Sequence, residues 1–130
     1  ETLKKILPEA FVKDRSGKTY SSGLYSRFNA FWPDKHYIQY NLGRAYTLLT
    51  ATAFVTQTYE GTNNSCQFVM MGDGVELYRT KGIDLASDPI VIEVDVSGVK
   101  LLEIWLVRTS KTDGDNVFWL GEPVLYRQNQ

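Results

Sequence analysis

The feature that most constrains the fold is an alternation of apolar and polar side chains at residues 90–96, which only Val91 interrupts. Glu93 and Asp95 fall on one side of this stretch, and four apolar side chains fall on the other. A repeat of two residues is typical of a β-strand that buries one face in a core and exposes the other. The alternation therefore predicts a strand whose inward row is Ile90, Ile92, Val94 and Val96.

Further stretches of strand length recur along the chain and are separated by Gly, Asp, Pro or Ser. The clearest turn is at residues 72–74, where Gly-Asp-Gly supplies the positive-φ positions of a β-hairpin. About eight short strands without a strong helix predict an all-β fold, an antiparallel β-sandwich of the jelly-roll type. The predicted strands cover residues 37–42, 46–58, 67–71, 75–78, 89–96, 101–107, 117–120 and 123–127.

Length and composition predict a single domain over residues 1–130. The chain is 43% apolar and 13% aromatic, which is enough for one well-formed core. Fourteen basic and fifteen acidic residues leave a net charge of −1 without a run of one sign, so nucleic acid is not expected as a partner. No segment approaches the roughly 20 uninterrupted apolar residues of a membrane-spanning helix, so membrane insertion is not expected.

The residue types do not favour catalysis. The sequence has one histidine, His36, and one cysteine, Cys66, whereas a cupin-type metal site needs several histidines. It lacks a nucleophile elbow, a phosphate loop and a dinucleotide fingerprint. Paired carboxylates can in principle hydrolyse a glycosidic bond, but a small sandwich without a deep cleft more often binds sugar than cleaves it. We therefore expect a non-catalytic protein, in which Cys66 is a small buried residue beside Phe68.

Four separated segments resemble, in the expected order, the NPCBM family of carbohydrate-binding modules, which is close to carbohydrate-binding module family 51. They are YSSGLY at 20–25, YIQYNLG at 37–43, MGDGVELY at 71–78 and VDVSGVKLL at 94–102. The resemblance implies a galactose-binding-like β-sandwich that contacts galactose-containing glycans through loops at one end. It also implies one module of a larger secreted or surface-attached bacterial protein, often beside a glycoside hydrolase, and a structural Ca²⁺.

Two segments depart from the family pattern. Family members often continue from the Gly-Leu pair with His-Ala, whereas this chain has Tyr25 and Ser26. A common Asp-His-Ala-Asp-Trp segment near the C-terminus is replaced by residues 115–119, which keep only the outer Asp115 and Trp119. These departures leave an alternative open, a structural or protein-interaction β-sandwich that has lost sugar binding.

The first candidate sugar site lies in a predicted aromatic surface loop at residues 25–35 and in the strand that follows it. Sugar recognition needs an aromatic face for the apolar side of a pyranose ring and polar groups for its hydroxyls. Trp32 or Tyr37 would form the aromatic platform. The hydrogen-bonding partners would be Asp34, Lys35 and His36. In the alternative interpretation, Phe31 and Trp32 close one end of the core and the charged residues are simply solvated.

The second candidate site is a predicted polar loop at residues 111–116 together with the strand that follows it. The candidate sugar contacts are Asp113, Asn116 and Trp119. Asp115 and Glu122 are candidate calcium ligands, because Ca²⁺ prefers clustered oxygen ligands and calcium in sandwiches of this family often uses an acidic residue near the C-terminus. In the alternative interpretation, Asp113 belongs to an ordinary Asp-Gly turn.

Trp105 is a further aromatic residue whose surroundings the sequence leaves open. It alternates with Leu102, Ile104 and Leu106, and it therefore points to the opposite face of its predicted strand. That face is either exposed to solvent or packed beneath a second layer.

Overall fold

The computed structural model describes residues 4–5, 12–28, 35–57, 65–109 and 116–127. These ranges form eleven β-strands and contain no helix, so the predicted all-β class is confirmed. Within them there is accordingly no helix long and apolar enough to cross a membrane. Eight of the strands have five or more residues. The strands are β1 (Lys4–Lys5), β2 (Val12–Lys13), β3 (Thr19–Tyr20), β4 (Gly23–Phe28), β5 (Lys35–Asn41), β6 (Tyr46–Gln57), β7 (Cys66–Gly72), β8 (Val75–Arg79), β9 (Ile90–Asp95), β10 (Leu101–Arg108) and β11 (Asn116–Arg127).

The strands form two larger sheets and one small one. The strand order is β1-β4-β11-β6-β9 in the five-stranded sheet and β5-β10-β7-β8 in the four-stranded sheet. Strands β2 and β3 form the small sheet. The described strand pairs are all antiparallel. Between β4 and β11 the chain passes repeatedly from one larger sheet to the other, so neighbours within a sheet are mostly distant in sequence.

One hydrophobic core joins the two larger sheets. In β9, Ile92 and Val94 are buried whereas Glu93 and Asp95 are exposed, as the alternation predicts. Burying an aliphatic side chain of this size contributes about 1.5–3 kcal/mol. The core residues from the five-stranded sheet include Leu24, Leu49, Ala51, Ala53, Val55, Phe118 and Leu120, and those from the four-stranded sheet include Phe68, Met70, Leu102, Ile104 and Leu106. The predicted β-sandwich is therefore confirmed.

The predicted Gly-Asp-Gly hairpin joins β7 to β8. Asp73 and Gly74 have φ values of 50° and 81°, which suit a two-residue type I′ turn. The Asp73 carboxylate accepts hydrogen bonds from the backbone N–H groups of Leu101 at 2.8 Å and Lys100 at 3.1 Å. These hydrogen bonds hold the pKa of Asp73 below its ordinary value. The hairpin is thereby fixed to the start of β10.

Two boundaries differ from the sequence prediction. Residues 25–28, predicted as part of an aromatic loop, belong to β4, which pairs with β1 and β11. Residues 117–120 and 123–127, predicted as separate segments, belong to the single strand β11, whose register shifts between Gly121 and Val124. In both cases pairing with strands that are distant in sequence extends the strand, and no local pattern encodes that pairing.

The small sheet is attached to the outer face of the five-stranded sheet through Tyr20. The Tyr20 ring stacks on Phe54 with a centroid distance of 4.7 Å, and both residues are buried. Its hydroxyl donates a hydrogen bond of 2.8 Å to the Asp14 carboxylate. The other Asp14 oxygen accepts hydrogen bonds from the backbone N–H groups of Ser16 at 2.9 Å and Lys18 at 3.1 Å. Asp14 therefore orders the turn between β2 and β3 and holds the Tyr20 ring in place.

Candidate functional site

In each larger sheet, strand ends that flank the predicted sugar-binding segments lie side by side. In the five-stranded sheet, the register pairs Asn116 with Phe28 on one side and with Gln57 on the other. The end of β4, the start of β11 and the end of β6 are thus adjacent. In the four-stranded sheet, Lys35 at the start of β5 pairs with Val107 near the end of β10.

These strand ends of the two sheets lie at the same end of the sandwich. At the opposite end, residues from both sheets line one apolar cavity of about 140 Å³. Its lining includes Leu24 and Leu49 from the five-stranded sheet and Tyr40 and Leu102 from the four-stranded sheet. The two sheets therefore meet at the cavity with the strand ends that lie away from Asn116 and Lys35. The strand ends that carry Asn116 and Lys35 accordingly share the other end of the sandwich, which we call the distal end.

Four of the predicted site residues lie outside the described residues: Trp32, Asp34, Asp113 and Asp115. They belong to the segments 29–34 and 110–115, which join strands whose described ends lie at the distal end. Lys35 and Asn116, the first residues of β5 and β11, are at the distal end themselves. The contribution of these six residues to a sugar or metal site stays a prediction.

His36 lies inside the protein rather than on its surface. Its side chain is fully buried, and the residue pairs with Leu106 across β5 and β10. The sequence carried the signal for this position, because His36 alternates in phase with Ile38 and Tyr40, which pack against the core. Its position does not support the predicted role as an exposed hydrogen-bonding partner for sugar.

Tyr37 and Trp105 form an aromatic pair on the outer face of the four-stranded sheet. They are cross-strand partners in β5 and β10, with ring centroids 4.7 Å apart and ring planes 22° apart. Both residues are partly exposed. The sequence left open whether the face that carries Trp105 is exposed or packed beneath a second layer, and the structure shows that it is exposed. Tyr37, predicted as an alternative sugar platform, lies on this face and not in a loop.

A shallow groove of about 220 Å³ lies beside Trp105 on the same face, and we call it the sheet groove. Its apolar lining consists of Val69, Met71, Trp105 and Val107, and its polar lining consists of Lys35, Arg79 and Glu103. Val69 is buried beneath the groove although it points to the outer face. Tyr37 stacks on one side of the Trp105 indole and is not part of the groove lining. The other side of the indole therefore lines the groove. The alternation of residues in β10 predicts that the Trp105 side chain points outward. The groove, however, depends on the order of β10, β7 and β8 in the sheet, and no local sequence pattern predicts that order.

Hydrogen bonds hold the polar side chains around the sheet groove. Gln39 Nε2 donates to Glu103 Oε2 at 2.7 Å. Arg79 donates to the Glu76 carboxylate at 2.7 Å and to Gln67 Oε1 at 3.0 Å. The hydrogen bond between Arg79 and Glu76 raises the pKa of Arg79 and lowers the pKa of Glu76. Both side chains therefore remain charged at neutral pH. The hydrogen bonds also orient the Glu103 and Arg79 side chains before any ligand binds.

Trp119 packs between two other rings on the outer face of the five-stranded sheet. Its ring centroid is 4.8 Å from that of Tyr25 and 6.1 Å from that of Phe54. The indole N–H donates a hydrogen bond of 2.7 Å to the Thr56 hydroxyl. These contacts give Trp119 a packing role between β4, β11 and β6, and its predicted contact with sugar stays a prediction.

Glu122 lies well along β11 from the distal end. It is six positions after Asn116 in this strand, which amounts to roughly 20 Å. Its exposed carboxylate forms an ion pair of 3.6 Å with Lys18. The structure thus does not bring Glu122 next to Asn116, the residue that follows Asp115. Among the residues described, no group of three or more His, Cys, Asp or Glu side chains is placed to hold a metal ion, and bound Ca²⁺ stays a prediction.

Cys66 has the predicted position of a small buried residue. It is fully buried at the start of β7 and belongs to the hydrophobic core together with Phe68. Burial raises the pKa of the Cys66 thiol, against a smaller lowering by the charge of Arg108. Because the thiolate is the nucleophilic form, a buried thiol that stays protonated is unsuited to covalent catalysis.

The sequence matches one family model over most of its length. This model, described as the NPCBM/NEW2 domain, matches residues 14–123. The resemblance to the NPCBM family is therefore confirmed. No curated protein sequence matches the chain.

Solved structures of family 51 carbohydrate-binding modules (CBM51) are similar to this fold. CBM51 from Clostridium perfringens GH95, in complex with methyl-galactose, has a TM-score of 0.70 and 18% identity over 95% of this chain and 86% of that chain. The M60 catalytic domain with the CBM51-1 and CBM51-2 domains from Clostridium perfringens ZmpB has a TM-score of 0.71 and 12% identity over 98% of this chain and 13% of that chain. The tandem CBM51 modules of Sp3GH98, the family 98 glycoside hydrolase from Streptococcus pneumoniae, have a TM-score of 0.70 and 16% identity over 98% of this chain and 41% of that chain.

These similarities establish a shared fold. The chain spans only 13% of the length of the ZmpB structure and 41% of the tandem-module structure. It therefore corresponds to one module of those larger chains. The antiparallel sandwich predicted from the sequence is the fold that these modules have in common.

Proposed function

The chain belongs to the NPCBM/NEW2 domain family, and on that premise we propose that it is a non-catalytic module that binds galactose-containing glycans. The observation that carries the proposal is the family match over residues 14–123 on a sandwich with the CBM51 fold. Galactose is the proposed sugar because a module with this fold was solved in complex with methyl-galactose.

The proposed sugar site is at the distal end. Lys35 and Asn116 lie there, and the strands that they begin follow the segments 29–34 and 110–115. Trp32 supplies the aromatic platform in this proposal. Hydrogen bonds to the sugar hydroxyls come from Asp34, Lys35, Asp113 and Asn116. A site built from such connecting segments on a rigid sandwich is a common arrangement for binding proteins.

A shallow site of this kind binds weakly. Ordering of side chains and loss of ligand freedom offset much of the interaction free energy. Tandem copies or attachment to an enzyme then raise the effective affinity, since the second binding event becomes intramolecular. We therefore place the module in a larger secreted or surface-attached bacterial protein, beside a glycoside hydrolase or another copy of itself. The domain arrangements of the ZmpB and Sp3GH98 structures support this placement.

The non-catalytic role is supported by the burial of the single cysteine and the single histidine of the chain. Cys66 is buried, and burial raises the pKa of its thiol. His36 is fully buried in the sandwich. Neither residue is positioned to contact a ligand in solvent. A hydrolase would be revealed by measurable turnover of an aryl galactoside, and we expect none.

Titration of tryptophan emission with a glycan panel tests the proposed function. The panel contains galactose, N-acetylgalactosamine and galactose-terminated oligosaccharides, and we expect saturable changes with the galactose-containing members. Trp32→Ala should remove the part of this response that arises at the distal end, while Glu93→Gln, an exposed change in β9, should retain the whole response. Equal melting temperatures of Trp32→Ala and the unmodified protein would show that the loss is not unfolding. Silence of the folded protein across the panel would refute sugar binding and favour a protein-interaction role.

A further inference from the structure

We propose that the sheet groove is a second carbohydrate site, which adjoins the proposed distal-end site at Lys35, and that it takes one neutral pyranose unit of a glycan. The proposal takes its ligand class from the proposed function, and its location rests on independent geometry. The groove lies on the outer face of the four-stranded sheet between Trp105 and Arg79.

The apolar part of the groove suits the apolar face of a sugar ring. Trp105 forms one side, and the buried Val69 and the partly exposed Met71 lie between it and Arg79. Tyr37 supports the indole from its other side, with ring centroids 4.7 Å apart. The indole is thus held in place before binding, so little side-chain entropy is lost when a ring packs against it.

The polar part of the groove suits hydroxyl groups, which both donate and accept hydrogen bonds. Glu103 offers carboxylate oxygens, one of which is already oriented by Gln39 at 2.7 Å. Arg79 offers guanidinium N–H groups and is fixed by Glu76 at 2.7 Å and by Gln67 at 3.0 Å. Fixed donors and acceptors on opposite sides of an apolar floor are the arrangement that orients a small polar ligand.

Charge and size together favour a neutral monosaccharide unit over other ligands. The two cations at the groove, Lys35 and Arg79, are balanced by the carboxylates of Glu103 and Glu76. The local charge therefore gives no net attraction for an anionic sugar or a phosphate. The volume of about 220 Å³ is below the roughly 300–1,000 Å³ of sites for drug-sized ligands, which points to a single ring.

Nuclear magnetic resonance titration of the ¹⁵N-labelled chain tests the second site. The probes are the methyl glycosides of galactose, glucose, mannose and N-acetylglucosamine, with galacturonate as the charged comparison. We expect at least one neutral glycoside to shift the indole N–H of Trp105 and the amides of Val69 and Glu103. These shifts should persist in Trp32→Ala, which removes the proposed platform of the distal-end site.

Surface variants distinguish a groove ligand from a general effect on the fold. Glu103→Gln and Arg79→Gln should each weaken binding at the groove about tenfold, because each loses a charge-assisted hydrogen bond to the sugar. Glu93→Gln is the matched control, since Glu93 is exposed in β9 of the other sheet and should leave the shifts unchanged. Trp105→Phe should weaken binding, and its melting temperature checks that the fold is intact.

The outcomes separate failure of the groove from failure of the proposed function. If glycosides shift only resonances that Trp32→Ala silences, sugar binding is retained but the second site is refuted. If no glycoside shifts any resonance, both proposals fail. Stronger binding of galacturonate than of the neutral glycosides at the groove would overturn the assignment of a neutral ligand.

Discussion

The ring of Tyr20 lies directly against Gly121. A Cβ atom at Gly121 would come within 2.5 Å of Cδ2 of the Tyr20 ring. The ring cannot easily move away, because its other contacts are with Phe54 and the Asp14 carboxylate. Gly121 is therefore required by the close approach of the small sheet to β11.

Gly121→Ala should destabilise the protein by about 1–3 kcal/mol, the usual cost of an added group in a packed site. The measurement is urea unfolding of the variant and of the unmodified protein. In a Tyr20→Ala background the same change should cost clearly less, because the ring that clashes is gone. An equal cost in both backgrounds would show that the Tyr20 contact is not the cause.

The hydrogen bond between Asp14 and Tyr20 predicts that the protein loses stability at low pH, which we call the acid limb, and again at high pH, which we call the alkaline limb. Burial alone would raise the pKa of Asp14, but hydrogen bonds from Ser16, Tyr20 and Lys18 outweigh it and hold the pKa below the ordinary value. This contribution is present above the pKa of an unfolded aspartate and is lost as pH falls through the lower folded value. Burial, together with the Asp14 carboxylate, raises the pKa of Tyr20 from 10.0 to about 12. That contribution is present below the ordinary tyrosine pKa and is lost as pH rises through the folded value.

Tyr20→Phe tests both limbs. The variant lacks the titrating hydroxyl, so its stability should fall less than that of the unmodified protein between pH 10 and about 12. Its acid limb should also be shallower, because the pKa of Asp14 moves back towards its ordinary value. Denaturant unfolding across the pH range measures both effects, and superimposable profiles of the two proteins would contradict the account.

Trp119 should contribute to stability through packing and one hydrogen bond. Trp119→Phe keeps a ring beside Tyr25 and Phe54 but loses the hydrogen bond to Thr56, which is worth about 1 kcal/mol. Trp119→Ala also loses the ring contacts and should cost about 3 kcal/mol or more. Thermal unfolding compares the two variants, and equal losses would mean that the rings add nothing.

The Tyr37 and Trp105 rings should stabilise each other. A double-mutant cycle with Tyr37→Ala, Trp105→Ala and the double variant should give a coupling energy of about 0.5–1.5 kcal/mol. Urea unfolding supplies the four free energies. If the two single losses add within about 0.3 kcal/mol, the stacked pair is not an energetic unit.

Alternation of side chains predicted most of the fold because each strand buries one face. Alternation predicts the inward rows of β9 and β10, and the Gly-Asp-Gly turn residues predict the hairpin at Asp73. No local pattern predicts the pairing between distant strands, and so the strand character of residues 25–28 was missed. The same distinction holds for the sites. The alternation in β5 is sufficient to predict that His36 points inward, whereas the sheet groove forms only when β10, β7 and β8 lie side by side.

Calorimetric titration of the intact chain with methyl β-galactoside tests the central claim most directly. The matched control ligand is galactitol, which carries similar hydroxyls but has no pyranose ring to stack on an indole. We predict a saturable heat for the galactoside and none for galactitol. A galactoside titration that is flat, or indistinguishable from that of galactitol, in a folded sample would contradict the account.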